Sequence, residues 1–144
     1  MIEKNSSMRQ LIDFRLEKLD KLKELGIEPF PHKYNPTHKS IDIISCFDDL
    51  EKQAVCVAGR IMALRKMGKA SFIHIMDDKG KIQIFIKKDN VGDKVYEAFK
   101  LMDIGDFVGI RGFVFKTKVG EISISAEKFD VLSKSIRPLP IVKE

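Results

Sequence analysis

KASFIHIMDDKGKIQIFIKK, residues 69–88, alternates along both of its halves around a tight Asp-Lys-Gly turn. Side chains on a strand point to opposite faces with period two, so the pattern predicts a hairpin. In the second half Ile82, Ile84 and Ile86 share one face, and Gln83, Phe85 and Lys87 the other. In the first half Ile73 and Ile75 oppose Phe72, His74 and Met76. The isoleucines supply the buried face. Two phenylalanines are left on the side that also carries a glutamine, a histidine and a lysine.

The flanking segments extend the pattern. Upstream, AVCVAGRIMALR (54–65) reads as a long strand with an internal glycine, the mark of a bulge or sharp bend. Downstream, VGDKVYEAFKLM (91–102) reads as one helix. GDFVGIRGFVFKT (105–117) and EISISAEKFDVL (121–132) then pair across KVG. A glycine-bent first strand, a three-strand meander, a helix and a final hairpin make the pattern of an OB-fold. The predicted class is β with added helices: a five-stranded OB-fold Greek-key barrel preceded by an N-terminal amphipathic helix.

That helix is predicted over residues 7–25, capped by Ser6 or Ser7 and ended by Gly26. Met8, Leu11, Ile12, Leu16, Leu19 and Leu22 form its apolar stripe. Arg9, Arg15, Lys18, Lys21 and Lys23, diluted by four acids, form the opposite face, either solvated or laid along a phosphate backbone. Prolines 29, 31 and 36 make the next segment an extended connector. Ser40 then reads as the cap of a short helix, roughly 41–51, burying Ile41, Ile44 and Phe47. The domain reading is helix 1–26, connector 27–53, barrel 54–134 and linker 135–144.

Composition narrows the class. With 44% hydrophobic and 33% charged residues the chain is globular in type, and no apolar run approaches the roughly 20 residues of a membrane span. Cys46 and Cys56, ten apart and outside any CxxC, predict reduced thiols and a cytoplasmic protein. The three histidines show no ligand spacing, so no metal site is expected. A net charge of +5 leans mildly toward a polyanionic partner.

An OB barrel usually binds on the outer face of its second and third strands, between the loops joining strands one to two and four to five. Phe72, His74, Gln83 and Phe85 fall on that face; the loops, RKMGK (65–69) and KTKVGE (116–121), are basic. Exposed aromatics beside a basic rim suit unpaired bases that stack while phosphates are neutralised at the edge. The Gln83 amide both donates and accepts, as a uracil Watson–Crick edge requires. The plainer alternative is packing: Phe85 or Phe72 under the N-terminal helix or connector, and His74 as a partly buried filler.

The segments VAGRIMALRKMGKASF (57–72), GKIQIFI (80–86), KTKVGEIS (116–123), VLSKSIRPLP (131–140) and RLEKLDKLKELGIEPFP (15–31) together resemble the N-terminal part of class II lysyl-tRNA synthetases. The resemblance spans about residues 8–140 and implies an anticodon-binding domain that selects lysine tRNA by its uridine-rich anticodon. By motif position, Phe72 matches the aromatic on which the middle anticodon uridine stacks, and Arg65 and Gln83 the residues that hydrogen-bond its edge. Glu121 matches an acidic residue associated with a neighbouring anticodon base. Phe85 supports the platform, and Lys69, Lys116 and Lys118 are expected phosphate contacts. The family's catalytic domain, which binds ATP and Mg, would follow RPLP and is absent here. No catalytic residue or cofactor is therefore expected in this chain, which by itself should neither make lysyl-adenylate nor charge tRNA. It reads as a piece of a synthetase or a free-standing paralogue, with a homodimer through the parent synthetase as the other partner implied. Two further readings stand beside it: a single-strand binder without anticodon preference, and a protein-interaction or regulatory module.

Overall fold

The computed structural model describes residues 2–26 and 36–133, with side chains from Met8 onward. Residues 27–35 of the connector and the tail after Ser133, including the expected linker, lie outside the described residues. Helix α1 (Ile2–Glu24) leads into two short helices, α2 (Ser40–Ser45) and α3 (Phe47–Leu50). The strands are β1 (Ala54–Met67), β2 (Ala70–Asp77), β3 (Gly80–Lys87), β4 (Phe107–Lys116) and β5 (Ile122–Ser133). Helices α4 (Lys88–Val91) and α5 (Asp93–Lys100) stand between β3 and β4. The strands close into a barrel in the order β1-β2-β3-β5-β4, with β3 and β5 parallel and the other pairs antiparallel.

The isoleucine face of the hairpin is the barrel core. Ile73, Ile75, Ile82, Ile84 and Ile86 are all buried, with Val57, Ile61, Ile110 and Ile124 from the other strands. Helix α5 closes over them through Tyr96 and Phe99, and Phe99 meets Phe129 edge to face. The long first strand serves both sides of the barrel. Ala54–Arg60 pair with β4 and Arg60–Met67 with β2, with a bulge between Ile61 and Ala63. At Gly59 a Cβ would stand 2.8 Å from the Met76 carbonyl oxygen, so the bend needs a residue without a side chain.

Five expectations need correction. Helix α1 starts at Ile2, which puts Ser6 and Ser7 inside it rather than at its cap. Its apolar stripe is only partly used: Leu22 is buried, whereas Met8 and Leu16 are exposed. The basic face is not simply solvated, because Lys18 pairs with Asp103 at 2.8 Å and the buried Arg15 lies 3.8 Å from the same carboxylate. The predicted helix at 41–51 breaks at Cys46; Phe47 is buried as expected, but Ile43 is buried in place of Ile41 (48% exposed) and Ile44 (44%). On either side of that break, Ile43 and Phe47 both join the buried core. Finally, the helix at 91–102 is divided, since Gly92 takes φ +92° between α4 and α5.

Ser40 caps nothing of its own. Its backbone N–H and hydroxyl donate to Asp77 Oδ2 and Oδ1 at 2.7 and 2.9 Å, joining α2 to the β2–β3 turn. Asp77 Oδ1 also accepts from the backbone N–H groups of Lys79 and Gly80, the Asx geometry of a tight turn. Partial burial would raise the Asp77 pKa, but the hydrogen bonds from Ser40, Lys79 and Gly80 outweigh it and hold the carboxyl below its usual value. A depressed folded pKa stabilises the fold above the unfolded value and is lost as pH falls through the folded one. Asp77→Ala should therefore cost about 1–2 kcal/mol at neutral pH. The gap to wild type should narrow below roughly pH 4, the ordinary aspartate range; urea melts at pH 7 and pH 3 check this.

Candidate nucleic-acid interface

The outer face of β2 and β3 is organised in rungs. Arg65, Phe72 and Phe85 are successive register partners across β1, β2 and β3, with Ser125 of β5 next. One rung along lie Ala63, His74, Gln83 and Ser123. Adjacent strands are only about 4.8 Å apart, so each rung brings its side chains together. Phe72 and Phe85 stack with centroids 4.7 Å apart and planes inclined by 25°, and Phe85 is in turn 6.3 Å from Phe115. The half-exposed Phe72 is thus backed by a second ring. Helix α1 makes its ion pairs with Asp103 on the α5–β4 connection, and residues 27–35, the other cover expected for these rings, lie outside the described residues.

Over the rungs lies a cleft of about 540 Å³ lined by Ala63, Leu64, Arg65, Phe72, His74, Gln83, Thr117, Val119 and Glu121. That volume falls within the roughly 300–1,000 Å³ of small-ligand sites. The β4–β5 loop forms its far wall and is held by its own backbone. Thr117 N–H donates to the Glu121 carbonyl at 2.9 Å, and Glu121 N–H to Thr117 Oγ1 at 3.0 Å. The Glu121 carboxylate reaches over the second rung, where His74 Nε2 is 3.1 Å from Oε2. The end of the Gln83 amide faces it; assigned as the nitrogen, because the carboxylate only accepts, that atom lies 2.7 Å from Oε1 and 3.0 Å from Oε2. The reverse amide orientation would set a carbonyl oxygen against two acceptor oxygens. A neighbouring cleft of about 500 Å³ shares His74, Gln83 and Glu121 and continues to Ile44, Lys81 and Ile122.

The β1–β2 turn, the near wall, is pinned from beneath. Tyr96 Oη donates to the Gly68 carbonyl at 2.7 Å and lies 2.8 Å from Ser71 Oγ. Lys66 Nζ donates to the carbonyls of Lys100 and Met102, closing the C-terminal end of α5. The wall that carries Arg65 is thereby braced against α5.

Residues 55–132, just over half of the chain, match the tRNA anti-codon family model, described as an OB-fold nucleic acid binding domain. The chain belongs to that family. Over 137 residues this OB-fold domain chain is 46% identical to the lysine–tRNA ligase of Pelotomaculum thermopropionicum, covering 95% of itself and 27% of the relative. It is 49% identical over 130 residues to that of Moorella thermoacetica, with coverages of 90% and 27%. For the Bacillus subtilis lysine–tRNA ligase the identity is 43% over 143 residues, with coverages of 94% and 29%. The chain thus spans a little over a quarter of the length of these relatives.

Of the residues singled out in the sequence, the OB-fold domain brings Arg65, Phe72, His74, Gln83 and Glu121 to one cleft. Phe85 stands behind Phe72. Lys69 is exposed at the β1–β2 turn and Lys118 in the β4–β5 loop, both outside the cleft lining. Lys116 turns away, its Nζ 4.7 Å from the centre of the Phe47 ring. Residues not singled out include Lys87, Thr117 and Val119. Lys87 Nζ lies 5.9 Å from the Phe85 ring centre, and its place in the β3 alternation was the available signal. Thr117 and the 90%-exposed Val119 line the cleft from the β4–β5 loop, and nothing in a six-residue loop marks which side chains turn inward.

Proposed function

We propose that this OB-fold domain recognises the anticodon loop of lysine tRNA as the tRNA-reading part of a lysine–tRNA ligase, stacking the middle anticodon uridine on Phe72. The observation that carries the reading is the single cleft in which Arg65, Phe72 and Gln83 converge. An unpaired pyrimidine laid on Phe72 finds a flat surface already braced by Phe85. Its edge then meets the Gln83 amide and the Arg65 guanidinium, which supply the donors and the acceptor that uracil's two carbonyls and N3–H require. Lys69, Lys87 and Lys118 sit where a strand leaving the cleft would carry its phosphates, and their contribution should weaken as salt rises. In this reading ATP, Mg and the ligase chemistry belong to the remainder of such a ligase, and the parent ligase's cytoplasmic homodimer is the working assembly.

The test is titration of a labelled lysine anticodon stem-loop at fixed moderate salt, beside one differing only at the middle anticodon base. The native loop should bind more tightly by about tenfold or more, roughly 1.4 kcal/mol. Equal binding would mean that the basic rim holds RNA without reading it. Absence of binding to either would move the domain to the protein-interaction class.

A further inference from the structure

We propose that Glu121, steadied by His74, orients the Gln83 amide and thereby sets the preference for uracil over cytosine; this rests on the base-reading role proposed above for the cleft. The two ends of a glutamine amide are almost isosteric, so its hydrogen-bonding sense is decided by its neighbours. Gln83 is only 9% exposed, which leaves little room for water to satisfy either orientation. The group that faces it is the Glu121 carboxylate, which only accepts. Turning the amide over would bring its carbonyl oxygen to the carboxylate in place of the nitrogen, exchanging a hydrogen bond for a repulsion. His74 holds the same carboxylate through Nε2.

The consequence falls on position 3 of the base. Uracil carries a hydrogen on N3 and needs a carbonyl oxygen opposite it; cytosine carries a lone pair there and needs an N–H. With the ring held on Phe72 and one carbonyl held by Arg65, the sense of the Gln83 amide chooses between them. Glu121 is then a positioning residue for the middle base. This differs from the role that the family resemblance implies, contact with a neighbouring base.

The test compares wild type with Glu121→Ala on stem-loops carrying uridine or cytidine at the middle position. Removal of this side chain leaves the backbone hydrogen bonds that shape the loop. Wild type should prefer uridine by about tenfold, and the variant should fall to within about threefold, chiefly through tighter binding of the cytidine loop. A variant that keeps the full preference overturns the proposal alone. So does one whose altered preference lies only at a neighbouring anticodon base. Absence of preference in wild type instead removes the base-reading role, and the proposal with it. Should the variant bind neither loop, NMR of the unliganded proteins decides. In wild type the Gln83 side-chain amide should show a hydrogen-bonded, exchange-protected proton that Glu121→Ala loses; identical amide signals in both would overturn the orientation claim.

Discussion

Phe72→Ala is expected to weaken binding of the lysine anticodon stem-loop by roughly tenfold to a hundredfold, as loss of a base–aromatic stack worth about 1–3 kcal/mol requires. Phe72 sits between Arg65 and Phe85 in one rung, half-exposed and backed by a ring 4.7 Å away. Truncation removes the platform and also the ring pair, itself worth about 0.5–1.5 kcal/mol of stability. Phe72→Leu separates the two effects, because it keeps apolar bulk over Phe85 without a flat face. Its Tm should stay near wild type while its affinity falls almost as far as that of the alanine variant. With no tryptophan in the protein, the label belongs on the RNA. Wild-type affinity in the leucine variant would show that the base does not stack there.

The second large effect concerns the fold. Gly112→Ala should destabilise the domain by roughly 1–3 kcal/mol, the usual cost of forcing atoms into a packed interior. A Cβ at this position would fall on the backbone carbonyl of Ser125, with Ala126 Cα close behind. The register of β4 on β5 shifts between Arg111 and Gly112, so the two backbones approach each other here. A long side chain can swing aside, but a carbonyl in a closed barrel moves only with its strand. At about 4–8 °C per kcal/mol, Tm should fall by roughly 4–24 °C. An unchanged melting curve would mean that the strands separate at this point without cost. Ser125 is also the partner of Phe85 across β3 and β5, so a separation there would be felt at the aromatic platform.

The site was legible in the sequence to different depths. Phe72, His74, Gln83 and Phe85 could be placed on one face because strand alternation is a local rule that needs nothing but the chain. The two bounding loops followed from the order of strands. The position of Lys116 could not be read this way: its charge suggested the rim, yet the Phe47 ring, from a helix more than sixty residues earlier, draws it aside. Arg15 and Lys18 are similar, since a basic helical face looks solvated until the fold brings Asp103 beneath it. Ile41 and Ile44 misled because the helix breaks at Cys46, and the phase of a six-residue helix is set by what it packs against.

What the sequence by itself determined is the barrel: five alternating strands, an isoleucine core and a glycine where β1 bends toward β2. Those features depend on spacing between near neighbours and on the cost of leaving apolar surface in water. Only the tertiary structure decided that Glu121 lies against both His74 and Gln83. It did so because closing β3 onto β5 carries the β4–β5 loop over a strand some forty residues earlier. Hydrogen bonds between side chains so far apart in the chain exist only once closure has brought donor to acceptor, and no local pattern encodes them.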